Sequence, residues 1–263
     1  MKSDALGNII FQINNDEGSI VVYQQNNLRY LTFGNQIEQS CVNLCKPCRL
    51  EHAYSQAMLL SLLMSSTSDN VLLLGLGGGA LLRALNCINS RMKIDAVEIS
   101  PMVLAVAKEF FLLPESPSIQ FHCDAAESYL KKTEKTFHHI YSDLYIEDQV
   151  HDSQLNPTFY QKCFDKLSND GILIVNNWTG EFQKVKQSQQ MLESVFKGKH
   201  LNLHIKGGNH ITLAFKDQIP SINPKLFFND AQLLGYQLDI PLQMHARNFW
   251  RQNAEILKIQ KFK

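Results

Sequence analysis

A chain of 263 residues with 44% hydrophobic content is long enough to bury a sizeable core, as one large domain or one domain with a small appendage. Lys plus Arg equals Asp plus Glu at 25 each, so the composition encodes no general attraction to nucleic acid or to an anionic membrane, and neither is expected as a partner. The opening MKSDALGNIIFQINNDEG holds one early Lys and no signal-peptide apolar run, and no later window approaches the roughly 20 apolar residues of a membrane span, so a cytoplasmic protein is expected.

In chain order, NIIFQI (8–13), SIVVYQQ (19–25) and LRYLTFG (28–34) are β-branched or aromatic runs separated by the turn-forming NNDEG and QNN. They predict an antiparallel meander, a small β-domain over residues 1–49. CVNLCKPC then sets Cys41, Cys45 and Cys48 in a Cys-x3-Cys-x2-Cys spacing similar to the iron–sulfur loop of radical SAM enzymes. That loop follows the first strand of a strand–helix barrel, whereas this one follows a β-rich segment, so three thiols in a connecting loop are the competing reading. With Cys87, Cys123 and Cys163 the chain has six cysteines, too few for a disulfide scaffold. LEHAYSQAMLLSLLM (50–64) has apolar residues at helical spacing and no breaker, and predicts a helix leading into a second domain, 50–263.

From residue 71 near-continuous apolar strands alternate with helices. VLLLG (71–75), IDAVEI (94–99), IQFHC (119–123), HHIYSD (138–143) and GILIVNN (171–177) are the strands. Helical runs lie between them: one through Ile88, others from Pro101 and Ala125, and one near Pro157 to Leu167. Such alternation predicts a parallel sheet covered on both faces. After a helix at 182–196, LNLHIK (201–206) and HITLAF (210–215) flank Gly207-Gly208, a turn so short that the two strands must be antiparallel. Helices are expected in the tail over 228–234 and 244–258, and no repeats or low-complexity linkers stand out. The predicted fold is α/β, a doubly wound, mostly parallel sheet with an antiparallel last strand, which suits the SAM-dependent methyltransferase type better than a dinucleotide dehydrogenase.

VLLLGLGGGALL puts Gly75, Gly77, Gly78 and Gly79 between a strand and a helix, where glycines let a nucleotide approach the backbone and the helix N-terminus offers free N–H groups. Glu98 ends the next strand, close to the roughly 20-residue offset of a ribose-binding acid. Gly75-x-Gly77-x-x-Ala80 also fits the dinucleotide fingerprint, so NAD is the rival ligand, and a tight turn beside a strand-end acid is the purely structural alternative. Asp124 and Asp143 follow the third and fourth strands. One such Asp is commonly a cap or turn residue, but three strand-end acids in register with a glycine loop describe a nucleoside cradle. His138 and His139 point to opposite faces and cannot share a metal, no other Cys/His spacing suggests zinc, and Tyr145 and Trp178 are candidate pocket walls or simply core.

Over most of 28–177 the chain resembles the spermidine synthases, or polyamine aminopropyltransferases. LRYLTFGNQIEQS is similar to their strand and loop ending in Gln, here Gln39, and AYSQAML to their Tyr-containing helix, here Tyr54. VLLLGLGGGALLR resembles their glycine loop with its trailing Arg83. VEIS, HCDA and FHHIYSDLY resemble their next strand ends at Glu98, Asp124 and Asp143, and TFYQKCFDKLSNDGILIVNN their later helix and strand. The resemblance implies a transferase using SAM or decarboxylated SAM as co-substrate, a small-molecule acceptor such as an amine, no metal, and a homodimer. It places Gly75, Gly77, Gly79, Glu98, Asp124 and Gln39 at the donor, Glu98 on the ribose and Asp124 beside the adenine. Asp143 and Tyr54 fall at the catalytic end, where a carboxylate can accept the attacking amine's proton or hold the amine in line.

The departures fall on acids that would face cations. Gly78 stands where the family's glycine loop has Asp, Ile146 and Glu147 replace an Asp-Pro, and Tyr54-Ser55-Gln56 lacks the Glu near its Tyr. A buried ammonium without a counter-charge is costly, so putrescine specificity is in question unless Glu147 or Asp148 compensates. A methyltransferase using intact SAM, its carboxylate accommodated at Gly78, is the second expectation. A non-catalytic nucleoside-binding protein of the same fold is the third.

Overall fold

The computed structural model describes residues 6–15, 18–34, 38–146, 149–150, 155–178 and 182–259. The expected meander forms from β1 (Asn8–Asn15), β2 (Gly18–Gln25) and β3 (Leu28–Thr32), extended by β4 (Glu38–Asn43) into a four-stranded antiparallel sheet in sequential order. EQSCVN carries little strand propensity, and only pairing with β3, Tyr30 opposite Cys41, and burial of Ser40, Cys41 and Val42 make it a strand. Ile20, Val22, Leu31 and Val42 pack on Val103, Val106 and Phe111 of the adjoining α/β unit, so this sheet has no separate core.

The single helix predicted for 50–64 is instead α1 (Ala53–Met58) followed by a 3-10 segment, Leu59–Met64. Leu59, Leu60, Ser61 and Met64 are all buried, and the Ser61 hydroxyl donates to Met58 O at 2.9 Å while meeting the Tyr141 hydroxyl at 2.9 Å, which favours the tighter winding.

The alternating elements follow: β5 (Asn70–Leu74), α2 (Ala80–Ile88), β6 (Lys93–Glu98), α3 (Pro101–Phe110), β7 (Ile119–Cys123), α4 (Ala126–Lys132) and β8 (Phe137–Ser142). A small hairpin of β9 (Tyr145–Ile146) and β10 (Gln149–Val150) precedes α5 (Pro157–Lys166), β11 (Leu167–Trp178), α6 (Phe182–Phe196), β12 (His200–His204) and β13 (Asn209–Phe215). The seven-stranded sheet runs β12-β13-β11-β8-β5-β6-β7. β5 to β8 and β11 are parallel, and β13 is antiparallel to both its neighbours, as the short glycine turn requires. One face is covered by α1, α2 and the tail helices α7 (Pro224–Leu238) and α8 (Leu242–Gln252), the other by α4, α5 and α6. The second tail helix is shorter than predicted, because the chain breaks at Asn253 before α9 (Ala254–Ile259). Asn253 accepts from Asn202 N at 3.0 Å and donates to Asn202 O at 2.7 Å, pairing the backbone of edge strand β12.

The three cysteines are not gathered for a cluster. Cys41 is buried on β4, Cys45 is exposed, and Cys48 is disulfide-bonded to Cys87 at the end of α2, 39 residues away. Among the described residues no group of three or more His, Cys, Asp or Glu could hold a metal ion, and no helix is long and apolar enough to cross a membrane.

Candidate active site

The carboxyl ends of β5, β6, β7 and β8 open beneath the β1–β4 sheet into a cleft of about 960 Å3. Gln39, Tyr54, Gly75, Gly77, Glu98, Asp124 and Asp143 all line it. Gly79 is not among the lining residues; it is the residue before α2, at φ +70°, and a Cβ there would sit 2.1 Å from Leu113 Cδ2, a packing reason for glycine. Gly75 has a double reason. At φ +88° the backbone is left-handed, and a Cβ would lie 2.3 Å from Asp143 O, so only glycine lets the ends of β5 and β8 come together here.

One wall is organised by backbone groups. Glu98 Oε2 accepts from Leu76 N at 3.1 Å and Gly77 N at 3.3 Å, and Oε1 from Ser100 N at 3.1 Å, so the strand-end acid of β6 holds the glycine loop open. Arg83, buried on α2, donates to Gly78 O, to Pro47 O at 3.0 Å and to Phe111 O at 2.7 Å, fixing the loop from behind. Burial lowers its guanidinium to about 10. Asp124 accepts from Lys132 Nζ at 2.8 Å and Ala125 N at 2.9 Å, and the Lys132 contact holds its carboxyl below the usual range. It is therefore tied to α4 through Lys132 as well as lining the cleft.

The facing wall is made of side chains from distant segments. Asp143 follows β8 and is pushed up by burial, against which a hydrogen bond from Asn176 Nδ2 at 2.9 Å, the nearby His52 and a hydrogen bond from Tyr54 act. Asn176 in turn accepts from Asn209 Nδ2 at 3.0 Å. The Tyr54 phenol is raised well above its ordinary value by burial first, then by Asp143 and Glu38, so it stays a neutral donor. His52 stacks on Tyr54 with ring centroids 5.5 Å apart and planes 13° off parallel, and its Nε2–H donates to Glu38 Oε1 at 2.7 Å. Glu38, Ser40, His52, Asn176 and Asn209 are cleft residues that the sequence reading does not name. Asn176 alone carried a signal, a polar residue ending the apolar strand GILIVNN just as the acids end theirs.

The departures from the family pattern have structural counterparts. A Cβ at Gly78 would sit 2.6 Å from Ser40 Oγ and 2.9 Å from Phe111 Cδ1, so the place of the family's Asp is occupied by neighbouring side chains. Gln56 turns into the core, donating to Leu50 O at 2.7 Å and meeting His245 Nε2 at 3.0 Å. Ile146 is in β9; Glu147 and Asp148 lie outside the described residues. Trp178 lines the cleft. The two strand histidines separate as expected: His139 is buried and lowered to about 4, with Nε2 donating to Ser61 O at 3.3 Å, whereas His138 Nδ1 accepts from Asn70 N at 3.2 Å. Among the described lining residues five carry carboxyl groups, Glu38, Glu98, Asp124, Glu127 and Asp143, and none is Lys or Arg.

The sequence and fold are similar to those of known proteins. Residues 51–204, more than half of the chain, match the spermine/spermidine synthase domain. The polyamine aminopropyltransferase of Neisseria meningitidis is 32% identical over 199 residues, spanning 74% of this chain and 75% of its own. That of Chromobacterium violaceum is 31% identical over 206 residues, spanning 77% and 78%. The crystal structure of a probable spermidine synthase from Corynebacterium glutamicum superposes with a TM-score of 0.73 at 15% identity, over 89% of this chain and 87% of that one, and so shares the fold. With the domain matched across the glycine loop and the strand-end acids, and relatives aligned over three-quarters of their length, this chain is a transferase belonging to the spermine/spermidine synthase family.

Proposed function

We propose that the cleft transfers the aminopropyl group of decarboxylated SAM to a small amine. One observation carries the reading: the described lining has five carboxyl side chains and no Lys or Arg. Such a field attracts a donor bearing a sulfonium and an ammonium and an acceptor that is itself cationic. Intact SAM adds a carboxylate that would enter an acidic cleft unpaired, and Ser40 with Phe111 fills the space that the loss of an acid at Gly78 would have opened for it. Both points count against methyl transfer.

In this reading the glycine loop admits the nucleoside, Glu98 keeps lone pairs for the ribose hydroxyls while holding the loop amides, Asp124 borders the adenine, and Gln39 closes the donor site from β4. The amine nitrogen bonds to the carbon beside sulfur, the carbon–sulfur bond breaks with its electron pair leaving on methylthioadenosine, and the proton lost by nitrogen passes to Asp143 or to water. Burial that raises Asp143 makes it a better proton acceptor than an ordinary carboxylate, and Tyr54 and Asn176 fix its orientation.

The experiment is product analysis by mass spectrometry, with decarboxylated SAM or intact SAM offered alongside putrescine and other small amines. Aminopropylated amine together with methylthioadenosine is expected from the decarboxylated donor. A methylated acceptor from intact SAM would replace this proposal with the methyltransferase, and no product from either donor would replace it with the non-catalytic binder.

A further inference from the structure

Gln56, Gly78 and Ile146 stand where the resemblance to the spermidine synthases implies carboxylates, yet the described lining holds five acids and no Lys or Arg. Three of its five acids are already committed: Glu98 to the glycine-loop amides, Asp124 to Lys132 at 2.8 Å, and Glu127 to Lys162 at 4.0 Å. The other two belong to the side-chain wall. Asp143 is at the reacting end. Glu38, on β4, accepts a hydrogen bond from His52 Nε2 at 2.7 Å, and both side chains are partly open. Between the two acids lies the Tyr54 ring, stacked on His52 and hydrogen-bonded to Asp143.

A diamine acceptor enters with two ammonium groups. One must lose a proton to attack, and the other stays charged throughout and needs a counter-charge in a site with little water. We propose that Glu38, aimed by His52, binds the non-reacting ammonium of a diamine or polyamine acceptor, with the alkyl chain running over Tyr54 toward Asp143. Glu38 and His52 are thus specificity residues, supplying from β4 and the segment before α1 what the missing acids do not. This inference rests on the amine-acceptor reading above.

The test uses the full chain saturated with methylthioadenosine and titrated calorimetrically with putrescine and with n-butylamine, which has the same carbon chain but no second ammonium. Glu38→Gln is expected to weaken putrescine about 10- to 100-fold, the range of a lost charge-assisted hydrogen bond. It should leave n-butylamine and methylthioadenosine binding as in wild type, and Glu38→Asp should recover part of the loss. Unchanged putrescine affinity in Glu38→Gln, equal weakening of both amines, or a wild type that prefers neither amine would each overturn the proposal. Unaltered methylthioadenosine binding in the variant excludes misfolding as the cause. The parallel turnover assay separates the two claims: discrimination between the amines without aminopropyl transfer keeps the subsite and discards the reaction, and transfer without a Glu38 effect does the reverse.

Discussion

The two walls of the cleft are built in different ways. The glycine-loop wall comes from one strand–turn–helix unit and the next two strand ends, and its acid Glu98 is bound by backbone amides within 22 positions of it. The facing wall collects Glu38, His52, Tyr54, Asp143, Asn176 and Asn209 from segments spread between β4 and β13, each held by another side chain. A site made by backbone needs glycines and strand ends at fixed spacing. A site made by side chains can exchange one carboxylate for another from elsewhere in the fold.

That contrast can be broken at its strongest point by Asp143→Asn. Its kcat is expected to fall about 10²- to 10⁴-fold, the typical contribution of general-base catalysis, with methylthioadenosine affinity unchanged by calorimetry. The same variant should unfold at higher denaturant concentration at neutral pH. A carboxyl raised by burial holds its proton more tightly in the folded than in the unfolded chain, so stability declines as pH rises from the ordinary carboxylate pKa through the raised one, and the ionised group is a cost above it. The Asn side chain removes that cost and can still accept from Asn176.

The disulfide joins the segment leading to His52 and Tyr54 to α2, and so ties one wall to the other. Cys87→Ser should lose about 2–4 kcal/mol of unfolding free energy under non-reducing conditions, the range for closing a loop of this size. Gly78→Asp, which restores the family's acid, should instead lose about 1–3 kcal/mol through its clash with Ser40 and Phe111, and Ser40→Gly in the same chain should recover part of it. A fully stable Gly78→Asp would show that this loop position has room for the acid after all. The smallest effect is expected from Asn176→Ala. Losing its hydrogen bond lifts Asp143 further, so the acidic limb of the kcat against pH profile should move to higher pH, with a severalfold loss of rate on the order of 1 kcal/mol.

Much of the α/β unit was legible because its strands are apolar runs whose ends carry acids, a pattern that depends on sheet geometry alone. β4 was not, since EQSCVN becomes a strand only by pairing with β3. The helix at 50–64 was too long because an unbroken apolar run cannot reveal that Ser61 and Tyr141 will tighten it, and the last helix was too long because Asn253 serves the edge of β12. Cys41, Cys45 and Cys48 looked like a set in sequence, but Cys41 faces the core from a strand and Cys48 pairs with Cys87. Within the cleft, Glu98, Asp124 and Asp143 follow from strand order, whereas Glu38 and His52 required the fold to bring β4 over the strand ends.

The central claim is that a lining with five carboxyl groups and, among the described residues, no Lys or Arg selects a cationic donor. Calorimetric titration of the protein with decarboxylated SAM and with intact SAM under the same conditions tests it most directly. Decarboxylated SAM is expected to bind at least about 10-fold more tightly, the equivalent of one unpaired carboxylate kept out of the cleft. Equal affinity, or tighter binding of intact SAM, would contradict the account.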